Sequence, residues 1–158
     1  MSALTLDQAN RIIDAVLRRA AEIDCRPISV IVVEPGCKVK AFQKEDGASM
    51  IRFEMAFGKA YAALALGRSS KLVKDRADER PMFMRYLLSA SDDQIFPEGG
   101  GLQIRNNEGE VIGAVGVTGD TEIRDEEVAA HGIHEAGLKT DEDCEGMGRT
   151  AGVRLTNP

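Results

Sequence analysis

The sequence predicts an α+β fold: a single domain in which helices flank an antiparallel sheet as an α/β/α sandwich. Three observations carry this. Apolar periodicity runs in the order helix, two strands, helix, short helices, two strands, helix. Each strand pair is joined by a short turn, Pro35-Gly36 in the first and Asn106-Asn107-Glu108-Gly109 in the second, so each pair is a hairpin. No regular β-α-β alternation occurs, which sets aside a doubly wound nucleotide-binding fold.

Thr5-Leu6-Asp7-Gln8 has the form of a capping box. Behind it Ala9, Ile12, Ile13, Val16, Leu17, Ala20 and Ala21 recur at helical spacing, which predicts a helix over residues 6–24 with one buried stripe. Pro27 ends it. Residues 28–33 are nearly all apolar and β-branched, as a central strand covered on both faces must be. Val39-Lys40-Ala41-Phe42 alternates like a half-buried strand.

A second helix is predicted over residues 48–66, from Met50, Phe53, Phe57, Ala60, Tyr61 and Leu64, with Gly67 as its C-cap. It is dense in small residues (Ala56, Gly58, Ala60, Ala62, Ala63, Ala65), which predicts close neighbours on more than one side. Two short helices are placed near residues 71–77 and 81–88. The Gly-rich loop Phe96-Pro97-Glu98-Gly99-Gly100-Gly101 opens onto a strand at residues 102–104. The last strand, residues 111–117, is interrupted by Gly113 and Gly116. Thr121 caps a final helix over residues 122–138, whose start is rich in acid at Asp125, Glu126 and Glu127. Residues 139–158 form a polar, Gly-rich tail without periodicity, so the domain is placed at residues 1–138.

Composition limits the function classes. The net charge of −6 and the lack of basic clusters oppose nucleic-acid binding. Cys25, Cys37 and Cys144 are scattered and fit neither a disulfide framework nor a zinc site. The opening residues have no charged start followed by an apolar run, and no apolar stretch reaches the ~18 residues of a membrane span. A cytoplasmic chain without membrane contact is expected.

Several residues could carry chemistry. Gly113-Ala-Val-Gly116-Val-Thr-Gly119 lacks dinucleotide-loop spacing. Its junction with the last helix, residues 116–121, instead offers free backbone N–H groups to an anion, with Gly116 and Gly119 leaving room and Thr118 between them. The loop at residues 96–101 is either a pocket wall or a crowded turn. On the second helix, Arg52, Glu54 and Lys59 form a charged group; Lys59 has few acidic neighbours on its own helix. Buried, it would suit acid–base work with Asp125 as partner; exposed, it would be an ordinary salt-bridge lysine. His131 and His134, three apart on the last helix, share a face and are candidate haem-iron or metal ligands. No other metal site is indicated, and no nucleophile elbow is present.

Six segments, taken in order, resemble the GlcG/HbpS family, the haem-degrading or DUF336 domain. They are Leu4-Thr-Leu-Asp-Gln-Ala9, the strand at residues 28–33 with Pro35-Gly36, Lys44-Glu-Asp-Gly-Ala48, Phe57-Gly-Lys-Ala60, the loop at residues 96–101, and Gly113 to Gly119 followed by Asp125-Glu-Glu127. The resemblance covers residues 3–137. It implies a profilin-like antiparallel sheet and a homo-oligomer, often an octamer. The matching family positions are Asp46, Gly47, Lys59, Pro97, Gly99, Gly100, Gly116, Gly119 and Asp125, and a shared pocket is expected to draw on them. The chain departs from the family pattern at Glu34-Pro-Gly-Cys37, at Lys44, at Thr118-Gly-Asp120 and in the Arg- and Met-rich loop of residues 74–94. Three functions stay open: binding of a small anionic molecule, with proton transfer or hydration on a small carboxylic acid as its catalytic form; binding or degradation of haem, or binding of a corrinoid; and an oligomeric module without ligand.

Overall fold

In the computed structural model, which describes residues 3–147, the chain runs α1 (Leu6–Glu22), β1 (Ser29–Glu34), β2 (Lys38–Lys44), α2 (Arg52–Leu66), α3 (Ser70–Glu79), α4 (Pro81–Ala90), β3 (Gly101–Arg105), β4 (Val111–Thr118), α5 (Glu122–Glu135) and a 3-10 helix, Glu142–Met147. The four strands form one sheet in the order β2-β1-β4-β3, antiparallel at every step. Both predicted hairpins are present, and β1 pairs with β4 to join them.

Strand alternation divides the core into two layers. Ile28, Val30, Val32, Val115 and Val117 face Ile12, Ile13 and Val16 of α1 and Val128 and Ile133 of α5. Ile31, Val33 and Ala114 face Ala56, Ala60 and Ala63 of α2. The α/β/α layering and the buried central strand are as predicted. The Thr5–Gln8 capping box is formed in both directions.

Boundaries differ where a side chain has nothing to pack on. α2 begins at Arg52, because residues 49–51 form a turn in which Met50 is 93% exposed. α3 and α4 are longer than predicted and meet at Arg80, where Pro81 cannot continue one helix but opens the next. α5 ends at Glu135, short of the predicted 138, and Gly137 follows with a positive φ of 76°. The residues just past 138 are packed against the sheet. Lys139 and Arg105 exchange both main-chain hydrogen bonds at 2.8 Å. The Arg105 guanidinium, 2% exposed, then meets Asp141 at 2.7 Å. The remainder of the predicted tail, residues 148–158, lies outside the described residues. Among the described residues no helix is long and apolar enough to cross a membrane.

α2 is enclosed on three sides, as its small residues predict. Ala56, Ala60 and Ala63 meet the sheet, Gly58 meets Phe96, and Ala62 packs with Val73, Met84 and Ile95. The approach to the sheet is closest at two glycines. A Cβ on Gly116 would fall on the Ala56 carbonyl, and one on Gly101 on the Lys59 carbonyl. Gly116→Ala therefore forces helix and sheet apart and is expected to cost about 3 kcal/mol, the upper end of overpacking in a full core. Urea unfolding with an unchanged m-value measures it. A loss under about 0.5 kcal/mol, the range of ordinary surface changes, contradicts the close-approach account.

Candidate functional site

At one end of the sheet, β4 hands over to α5, and the predicted site residues gather there. Lys59 is central. Its position on α2 places the side chain over β4, where Nζ donates to the Val117 carbonyl at 2.9 Å and to Asp125 Oδ2 at 3.1 Å. The two side chains are 4% and 2% exposed. Lys59 is thus a buried lysine, not a surface one. Asp125 sits in the first turn of α5, and its second oxygen accepts the Asp120 N–H at 3.0 Å. Burial pushes the Lys59 ammonium pKa down and the Asp125 carboxyl pKa up; each charge opposes the other's shift. The pair links the α2 layer to the α5 layer around the end of the sheet.

The glycine segments do converge on this amine. A Cβ on Gly100 would stand 3.1 Å from Nζ and would collide with the Val117 carbonyl. They do not leave a hole, however. The space freed at Gly100, Gly116 and Gly119 is taken by the carbonyls of Val117, Ala56 and Pro27. The role expected of Gly116 and Gly119, making room for a guest, is corrected: main chain fills that room.

The predicted anion junction is partly filled by the chain's own groups. Asp120 accepts the Thr121 N–H at 2.7 Å, and the Thr121 hydroxyl accepts the Arg124 N–H at 3.3 Å. The chain's own side chains thus take two of the N–H groups at the start of α5.

The other predicted residues lie around this centre. The Gly99 N–H donates to Glu122 at 2.8 Å. Pro97 is half-buried beside Glu98. Glu98 and Glu122 are bridged by Lys74 Nζ, at 3.4 and 2.6 Å. A hydrogen bond between the two carboxyls raises the pKa of Glu98 and holds that of Glu122 down at about 2. Gly47 packs near Pro27, and Asp46 is exposed on the same loop. Thr118 is buried, and its Oγ1 accepts from Arg52 Nη1 at 2.9 Å.

The histidines stand apart from this centre. His134 Nε2 meets Asp143 at 2.7 Å, and His131 lies 3.7 Å from Glu135. Among the described residues no group of three or more His, Cys, Asp or Glu is placed to hold a metal. A cleft of about 780 Å³ opens beside α5 and the 3-10 helix, with Leu72, Leu102 and Ala130 flanked by Glu126, Asp141, Glu142, Asp143 and Glu145. Lys59 does not line it.

Sequence reasoning missed Ser29 and undervalued Arg52. Ser29 is fully buried, and among the described residues neither its hydroxyl nor the buried Arg52 Nε has a hydrogen-bond partner. The signals were present: Ser29 is the one polar residue in an apolar run, and Arg52 precedes Lys59 by two helical turns.

The family model described as "Haem degrading protein HbpS-like" matches residues 4–134. An uncharacterised 15.0 kDa protein in the dhaT-dhaS intergenic region of Citrobacter freundii is 33% identical over 126 residues, covering 79% of this chain and 86% of the relative. The crystal structure of Klebsiella pneumoniae protein ORFY, of DUF336, superposes with a TM-score of 0.78 at 28% identity, covering 87% of this chain and 92% of that one. A PduOC:heme complex shares the fold with a TM-score of 0.78 at 22% identity, covering 88% and 99%. With the match running through all four strands and most of α5, the chain belongs to the HbpS-like (DUF336) family.

Proposed function

We propose that the chain is a binding protein for a small anionic molecule, held at the sheet end beside Thr118. One observation carries this. Lys59 is neutralised by Asp125, whereas Arg52 makes no ion pair among the described residues and lies half-buried against Thr118. A partly desolvated cation without a counter-charge favours an anion as partner. The apolar residues Met82 and Tyr86, 73% and 69% exposed on α4, offer a surface on which a second copy of the chain can pack.

Binding is assigned ahead of turnover because Lys59 and Asp125 already satisfy each other out of reach of solvent. Proton transfer by this pair would need an open path to Nζ. The pair is read as a brace. Lys59→Met and Asp125→Leu, made singly, each leave an uncompensated buried charge and are expected to lose about 3–5 kcal/mol. The double variant recovers most of that loss and keeps the anion response, by urea unfolding and thermal shift. A folded double variant that has lost the response returns the pair to the ligand site.

A second reading, haem binding, is favoured by the family's description and by the heme complex formed on the same fold. His131 and His134 are the residues that would meet the iron; both are partly exposed on α5. Haem titration is expected to give a Soret band that His131→Ala/His134→Ala abolishes. No spectral change at tens of micromolar haem removes this reading.

The principal reading is tested by thermal shift with acetate, lactate, benzoate and inorganic phosphate against chloride. At least one is expected to raise the melting temperature in a saturable way, as a ligand bound only by the folded chain must. A flat response to all four at tens of millimolar contradicts it.

A further inference from the structure

Resting on that reading, we infer that the anion is a carboxylate, gripped by the free edge of the Arg52 guanidinium and by the Ser29 hydroxyl. Ser29 and Thr118 are direct partners in the β1–β4 ladder, so their side chains leave the same face of the sheet. That face is the one under α2, because Thr118 Oγ1 holds Arg52 Nη1. The bond to Thr118 uses one guanidinium nitrogen and fixes the plane of the group. Nε has no partner, and no hydrogen bond reaches Nη2 among the described residues. The Nε–Nη2 edge is the two-pronged donor that matches the two oxygens of a carboxylate.

Two independent features point to the same place. Ser29 is fully buried in a strand that is otherwise apolar up to Val33, and its hydroxyl is unsatisfied. A buried unpaired hydroxyl is a liability unless something pairs with it. In addition, α2 begins without a side-chain cap, Ile51 standing at the N-cap, so its first-turn N–H groups add partial positive charge at this end. Arg52 Nε and Ser29 Oγ are both covered in the chain as it stands. Entry therefore requires the Arg52 side chain to swing aside next to the exposed Ile51 and to re-form its Thr118 bond once the carboxylate is bound.

Ser29→Ala and Arg52→Lys test this, each read by thermal shift without ligand and by titration with acetate, lactate, benzoate and inorganic phosphate. In the wild type a carboxylate is expected to outcompete phosphate. Ser29→Ala is expected to melt at the same temperature or higher without ligand, since it removes an unsatisfied group, yet to bind the carboxylate about tenfold or more weakly, the effect of one hydrogen bond to a charged group. Arg52→Lys keeps the charge but not the fork and is expected to weaken binding to the same degree. Ser29→Ala that is less stable, or either variant binding as the wild type does, overturns the inference and leaves anion binding intact. So does a wild type that answers to phosphate but to no carboxylate. A wild type that answers to none of the four removes both.

Discussion

The fold depends on how near α2 lies to the sheet. Gly101 and Gly116 set that distance, because any side chain there would push against α2 main chain. Ala56, Ala60 and Ala63 keep the helix side equally bare. Such an approach exposes little apolar area per residue, so it gains from dense contact more than from large side chains. It also decides the fate of Lys59. A lysine on a helix ordinarily extends along its stem until the ammonium reaches water. Here the stem is enclosed, and the amine ends at the Val117 carbonyl and Asp125.

That enclosure fixes the electrostatics of the sheet end. An ammonium held in the interior without a counter-charge would shed its proton. Asp125 opposes this, and its carboxylate is supported in turn by the Asp120 N–H and by its place in the first turn of α5. The pair therefore ties the β4–α5 corner to α2. A hydrophobic pair of equal volume could hold the corner as firmly. What the charges add is direction, since each carboxylate oxygen has its own donor, Lys59 Nζ for Oδ2 and the Asp120 N–H for Oδ1. Arg52, two turns back along α2, lies close enough for its charge to oppose that of Lys59. Among the described residues its partners are the Thr118 hydroxyl and Met55 Sδ, and it meets no acid.

Much of this was legible in the sequence. Periodicity gave all five helices, turn chemistry gave both hairpins, and the apolar run of β1 gave its central place. The gathering of Lys59, the 96–101 loop and Asp125 was foreseen from the family segments. The meaning of the glycines was not. A glycine looks the same in sequence whether a ligand or a carbonyl occupies the space beside it, and only the partner's position decides. The burial of Lys59 was equally hidden, because Asp125 lies 66 residues away and no local pattern links them. Residues 139–147 had no periodicity to read. They are held mainly by polar bonds, the Lys139–Arg105 main-chain pair, Asp141 with Arg105 and Gln103, and Asp143 with His134, not by an apolar stripe.

Two regions among the described residues offer themselves to a small molecule, and they have opposite character. The large cleft beside the 3-10 helix is lined by five carboxylates and one lysine, which disfavours an acid. The sheet end has little open volume but holds a cation, Arg52, that makes no ion pair among the described residues. Across the whole surface the net charge of −6 repels anions at long range. That repulsion fades beyond about 8 Å in physiological salt. Inside that distance Arg52 and the donors around it govern the encounter. Recognition at such a place cannot come from steering. It has to come from hydrogen bonds formed after contact, which makes the arrangement of donors at Arg52, Ser29 and Thr118 more decisive for selectivity than the charge of the protein as a whole.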